Sequence, residues 1–120
     1  MPVSRPHRVN KQITINAGVP VRIIDANSAN PVMAERLFIQ ARSANNSAGI
    51  IYILDGVPLD TALNAGDASQ LTAEIHTGDS YGDPPGGAGG WNQTSPTDLR
   101  YMGIDGTVTG DVVIVSYVLR

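Results

Sequence analysis

The sequence predicts a single all-β domain: an antiparallel β-sandwich or jelly-roll-like barrel of seven or eight strands, with an extended N-terminal arm and one long Gly/Pro-rich loop. Apolar and polar residues alternate over many short segments, which is typical of half-buried strands. Clusters of Gly, Asn and Asp separate these segments at intervals of roughly 8–14 residues. The 120-residue length suits one domain with one core. A jelly roll is our first choice, and an immunoglobulin-like sandwich is the alternative.

The predicted strands follow one another with turn residues between them. Ile50–Leu54 is apolar on both faces, which predicts a central strand. The β-branched run that leads into Leu119 predicts a strand well inside its sheet. A helix competes with a strand only over residues 31–42. In chain order, the predicted strands lie around residues 13–15, 19–23, 37–41, 50–54, 71–76, 99–104 and 112–119.

The first eleven residues are predicted to form an extended arm, and the sandwich then comprises residues 12–120. Pro2 and Pro6 remove backbone donors and favour extended geometry in this segment. The arm carries Arg5, Arg8 and Lys11, a formal charge of +3. The remainder has five basic and eleven acidic residues, a formal charge of −6. This asymmetry would let the arm lie across an acidic neighbour, which includes another copy of the same chain.

Residues 78–97 form a predicted loop of twenty residues that lacks a core pattern. A loop of this length inside a compact domain is usually either functional or disordered. It contains the single tryptophan, Trp91, and one of the four tyrosines, Tyr81. One interpretation is that Trp91 anchors in a pocket of a partner or a sister subunit. The alternative is that it folds back over one end of the sandwich as a lid.

Few residues could carry catalysis or hold a metal. Cysteine is absent, which excludes disulfides and thiolate sites. His7 and His76 each lack a neighbouring ligand residue, and the spacing of Glu35 and Glu74 does not support a glycosidase pair. The aspartates beside glycines are explained by turn geometry without a calcium site. We therefore expect no enzyme, no cofactor and no metal.

Charge and hydropathy bear on partners and location. A net charge of −3 does not fit a nucleic-acid binder. No stretch approaches the roughly 20 apolar residues of a membrane-spanning helix. The first residues lack the apolar region of a secretory signal, so we expect synthesis and folding in a cytoplasm without an export step.

The chain resembles small virion proteins of tailed bacteriophages over residues 13–117. The resemblance lies in ITINAGVPV at 13–21, LFIQA at 37–41, GIIYILDG at 49–56 and DLRYMGIDGTVTGDVVIVSY at 98–117. It implies a capsid decoration (cement) protein with a jelly-roll-like fold, present in many copies on the capsid exterior and often trimeric. The implied partners are the major capsid protein and further copies of the chain. The family has no catalytic motif, and related folds also occur in tail, adaptor and fibre components.

On this basis the arm residues Arg5, His7, Arg8 and Lys11 are expected to contact the capsid partner, with the cationic ones pairing with its carboxylates. Tyr81 and Trp91 are expected to act as apolar anchors. The alternative is a tail, fibre or receptor-binding module in which the same aromatic residues stack on a glycan.

Overall fold

A computed structural model describes residues 7–24, 30–82 and 97–119, with the backbone alone at positions 7 and 97. Within these residues the chain forms nine strands and one 3₁₀ helix. They are β1 (His7–Thr14), β2 (Val21–Arg22), β3 (Met33–Ala41), β4 (Ile50–Leu54), β5 (Leu71–His76), β6 (Ser80–Gly82), β7 (Thr97–Asp98), the 3₁₀ helix (Leu99–Tyr101), β8 (Gly103–Gly106) and β9 (Val112–Leu119).

The strands form two antiparallel sheets. Sheet A has the order β1-β9-β3-β6, with the two-residue β7 also paired to β3, and sheet B has the order β2-β8-β4-β5. Four nested pairs, β1–β9, β2–β8, β3–β6 and β4–β5, follow from folding the chain back on itself around the β4–β5 connection. Contacts of β9 with β3 and of β8 with β4 then join these pairs into two sheets. This is the jelly-roll order, and it confirms the predicted sandwich, which is not a closed barrel.

The core lies between the two sheets, where every second residue of each long strand points. In β3 the burial alternates through Leu37, Ile39 and Ala41, and in β9 through Val113 and Val115. This period of two explains why residues 31–42 form a strand and not the competing helix. The predicted interior positions of β4 and β9 are also confirmed, because each lies between two partners.

The predicted boundary between arm and sandwich at residue 11 is wrong for its last five residues. Residues 7–11 belong to β1 and pair with β9, from His7 opposite Leu119 to Lys11 opposite Val115. Residues 1–6 lie outside the described part of the chain. The polar residues of this segment are compatible with a strand because β1 is at the edge of its sheet, where one face is open to solvent.

The predicted loop over residues 78–97 is also shorter than expected. Residues 80–82 form β6, which pairs with β3 from Phe38 to Gln40, and residues 97–98 form β7. Gly82 has a φ of +89°, and a Cβ there would collide with the Leu37 carbonyl oxygen. A glycine at this position is therefore what lets the chain run this close to β3. Residues 83–96 lie outside the described part.

Part of the outer face of sheet B is covered by the β4–β5 connection, residues 55–70. Leu63 from this connection lies over Gly103 of β8, while Leu54 and Val57 are fully buried outside the main core. Buried Gln70 stabilises the connection, since its Oε1 accepts from Asn64 N at 2.8 Å and its Nε2 donates to the Ala62 carbonyl at 3.1 Å. Sheet B is thus covered on its inner face and over the β8 part of its outer face, whereas Glu74 and His76 of β5 are exposed.

Candidate interaction surface

Among residues 7–24, 30–82 and 97–119, no helix or strand lies over the outer face of sheet A. Every described strand belongs to one of the two sheets, and the 3₁₀ helix lies beside β2. Because Val113, Val115 and Tyr117 point into the core, Ile114 and Val118, which alternate with them, point outward, as does Phe38 of β3. These three apolar side chains are only partly buried. A partly exposed apolar strip therefore runs along the middle of this face.

Two arginines flank this strip at one end. The register places Arg8 of β1 and Arg36 of β3 on either side of Val118. Both arginines are exposed, and no Asp or Glu occupies an outward-facing position of β1 or β9. An apolar strip beside guanidinium groups that form no salt bridge with a described residue is chemically suited to a partner surface that combines apolar residues with carboxylates. We call Arg8, Arg36, Phe38, Ile114 and Val118 the sheet A face.

The free edge of β1 adjoins the sheet A face. Ile15 donates to the Asp111 carbonyl at 2.7 Å and accepts from Gly110 N at 2.9 Å, so its backbone faces the β9 side. Backbone direction alternates along a strand, so Arg8, Asn10, Gln12 and Thr14 direct their N–H and C=O groups away from β9. These groups have no backbone partner among the described residues. β1 therefore offers an open edge for strand pairing.

The predicted site residues of the arm separate into different environments. Arg8 is exposed on the sheet A face, as its predicted role requires, but Lys11 lies on the inner side of β1. The Lys11 ammonium donates to the Ile23 carbonyl at 2.6 Å and so ties the edge of sheet A to the edge of sheet B. Lys11 therefore stabilises the fold through a hydrogen bond that the sequence did not indicate. His7 starts β1, and Arg5 lies outside the described residues.

Tyr81 is not the exposed loop anchor that the sequence predicts. It lies in β6 opposite Ile39, on the inner side of the sheet, and packs partly buried against the core. Burial raises the pKa of the Tyr81 hydroxyl, and the negative charge of Asp55 raises it further. Tyr81 therefore belongs to the packing between the sheets. Trp91, its predicted companion, lies outside the described residues.

Sequence reasoning missed Arg36, Phe38, Ile114 and Val118 as surface residues. In β3 and β9 every second residue is buried, and the residues between them face outward. The buried set could have been recognised from the apolar residues Leu37, Ile39, Val113 and Val115. The placement of Arg8 and Arg36 on either side of Val118 could not be predicted from the sequence, because it depends on the order of strands in the sheet.

Other features of the described residues are structural. The Arg22 side chain lies in an open cleft of about 560 Å³. Its two terminal nitrogens are both engaged, with the carbonyls of Val57, Pro58, Thr61 and Arg100 at 2.7–3.1 Å. Within residues 7–24, 30–82 and 97–119, no group of three or more His, Asp or Glu side chains could hold a metal ion. The same residues include no helix that could cross a membrane.

Comparisons with known proteins identify no relative. No family model matches the chain, and neither a curated protein nor a solved structure is significantly similar to it.

Proposed function

We propose that this chain is a structural protein of a bacteriophage virion, which decorates the capsid exterior as an oligomer and binds the major capsid protein. The observation that carries this proposal is the sheet A face. It combines partly exposed Phe38, Ile114 and Val118 with the exposed Arg8 and Arg36, and no described element covers it. Interfaces characteristically join apolar residues to arginines in this way.

Two further observations support a binding role on a virion. The jelly roll is a fold that viral coat proteins use, although lectins and cupins share it, so the fold alone does not choose among these functions. The phrases that resemble phage virion proteins, at 37–41, 49–56 and 98–117, include much of β3, all of β4 and most of β9. The resemblance therefore involves the strands that build both sheets.

The test measures how much of the protein binds to capsids. Purified chain is added to complete phage particles that lack it, and occupancy is measured by sedimentation and located by cryo-microscopy. We expect saturable density on the capsid exterior and a loss of affinity of about tenfold or more for Arg36→Glu. The control is Ala68→Glu, which adds negative charge at an exposed position on the other side of the sandwich.

Three outcomes would overturn the proposal or part of it. No binding to capsids contradicts the decoration role as a whole. Density on the tail or fibre contradicts the capsid location. Equal affinity of Arg36→Glu and wild type shows that the sheet A face is not the contact surface.

A further inference from the structure

The charges of this chain are segregated along the sequence. Residues 43–99 contain no Lys or Arg, whereas they contain seven of the eleven acidic residues. All eight basic residues lie in 1–42 and 100–120. In the fold, the acidic segment provides β4, β5, β6, the two-residue β7 and the connection over sheet B, while the other two segments provide β1, β2, β3, β8 and β9. The sandwich thus has an acidic side and a basic side.

The two sides end in exposed strand edges of opposite charge. β1 is one edge of sheet A and lies near the β2 edge of sheet B, as the bond from Lys11 to the Ile23 carbonyl shows. β5 is the opposite edge of sheet B. The β1 edge carries exposed Arg8 and Lys11. The β5 edge carries exposed Glu74, with Asp79 just beyond its end.

The backbone of β5 can accept a further strand at Glu74. The backbone N–H and C=O of Ile50 both bond to Thr107, on the β8 side of β4. Because backbone direction alternates along a strand, the N–H and C=O of Ile51 point toward β5, and those of its partner Ile75 point toward β4. Glu74 therefore directs its N–H and C=O groups away from β4, as Arg8 directs its own away from β9. Thr72 has no partner in β4, because the register shifts there between Ala73 and Leu71. Ala73–His76 is therefore the regular part of this edge.

We propose that copies of this chain assemble head to tail, with the β1 edge of one copy lying antiparallel along the β5 edge of the next and Arg8 opposite Glu74. This inference rests on the proposed function and specifies its self-assembly step. Two residues that both face the open edge can exchange a pair of backbone hydrogen bonds, and their side chains then lie on the same face as an ion pair. In this register Val9 lies opposite Ala73, and both side chains are already packed against their own cores. Because the two edges differ, the contact is heterologous and can close into a ring.

The experiment measures the mass of the purified chain by sedimentation and native mass spectrometry, with no capsid present. Wild type is expected to be oligomeric. Arg8→Glu and Glu74→Arg should each weaken association on the order of a hundredfold, because each puts like charges opposite one another. Both side chains are exposed and have no described side-chain partner, so the fold should tolerate the changes. The double variant Arg8→Glu/Glu74→Arg should restore the oligomer, since it re-forms the pair with its charges exchanged.

Arg36→Glu is the matched control, because it makes the same charge change on the sheet A face away from either edge; its mass should equal that of wild type. A monomeric wild type, an unaffected Glu74→Arg or a monomeric double variant would each overturn the inference. Since capsids are absent, failure of assembly is distinguishable from failure of capsid binding. A chain that assembles in this way but does not bind capsids would refute the proposed function and leave the edge contact standing.

Discussion

A single arginine holds together three parts of the sandwich that are distant in sequence. The Arg22 guanidinium donates to the carbonyls of Val57 and Arg100 at 3.1 and 2.8 Å, and to those of Pro58 and Thr61 at 3.0 and 2.7 Å. It thereby links β2 to the β4–β5 connection and to the 3₁₀ helix. A planar group with several donors can bind four acceptors at once, which a lysine ammonium with three donors cannot.

We expect Arg22→Lys to destabilise the protein by about 2 kcal/mol, because it leaves carbonyl groups without their charged donor. Urea unfolding at pH 7 measures the change. Arg36→Lys is the control, since Arg36 is exposed and the substitution should stay within about 0.5 kcal/mol of wild type. Equal stability of the two variants would show that the Arg22 contacts do not contribute.

Asp98 makes part of the stability dependent on pH. Its carboxylate forms a salt bridge with Arg100 at 2.9 Å and caps the 3₁₀ helix by accepting from Arg100 N at 3.1 Å. The hydrogen bond from the Arg100 side chain lowers the pKa of Asp98 below its ordinary value of 3.8, and backbone N–H groups of Arg100 and Val32 contribute. A lowered pKa in the folded state adds stability above the unfolded pKa, and this stability is lost as pH falls through the folded pKa.

Asp98→Asn tests this effect because asparagine keeps a capping oxygen and removes only the charge. We expect a loss of about 0.5–1 kcal/mol at pH 7, which shrinks below about pH 4 as the wild-type carboxylate becomes protonated. Urea unfolding of both proteins between pH 7 and pH 3 measures the difference. A difference that does not change with pH would contradict an electrostatic origin.

At the scale of elements, the main revision concerns β1. The inward positions of β1 are Val9, Lys11 and Ile13, and the charged Lys11 interrupts their apolar pattern. Residues 7–11 therefore resemble an arm in the sequence. At a sheet edge the aliphatic part of a lysine can cover apolar neighbours while its ammonium reaches a carbonyl, here that of Ile23. An inward charge on an edge strand is therefore compatible with the sheet, but its acceptor, the carbonyl of Ile23 directly after β2, could be known only from the fold.

Two N-terminal truncations distinguish the arm from the strand. Deleting residues 1–6 leaves β1 whole, so the free energy of unfolding should change by less than about 0.5 kcal/mol. Deleting residues 1–11 removes five of the eight residues of β1, exposes part of the β9 edge and breaks the bond from Lys11 to Ile23. We expect this deletion to destabilise the protein by roughly 3 kcal/mol or more. Equal stability of the two truncated proteins in urea would show that residues 7–11 do not stabilise the sandwich and belong to the arm.

The predictability of each strand depended on its length and on its neighbours. The strands β3, β4 and β9 have five to nine residues, enough for a period of two to be recognised, and their predicted types are confirmed. β6 has three residues and β7 has two, too few for any period. Their strand character comes from pairing with β3, and so the position of Tyr81 in the packing could not be predicted from the alternation around it.

At the scale of the whole molecule, the nested strand pairs convert a sequence asymmetry into a spatial one. The acidic middle of the chain lies at the centre of the nest, around the β4–β5 connection, whereas the basic ends meet in β1 and in β3 beside β9. The predicted division into a basic arm and an acidic body captured part of this separation. The rest depends on strand order, because the jelly-roll order puts the β1 and β5 edges on opposite sides of one sandwich.

This polarity makes the proposed assembly sensitive to ionic strength. Exposed charges across a strand contact are screened as the Debye length falls from about 10 Å at 0.1 M salt to about 3 Å at 1 M. We therefore expect the association constant of wild type to fall by about tenfold or more over this range, measured by sedimentation equilibrium. The double variant Arg8→Glu/Glu74→Arg should show the same dependence, because exchanging the charges of an ion pair preserves its attraction. Association that is unchanged or stronger at 1 M salt would point to an apolar contact, for which the partly exposed Phe38, Ile114 and Val118 and the more exposed Val19, Val21 and Tyr101 are candidates.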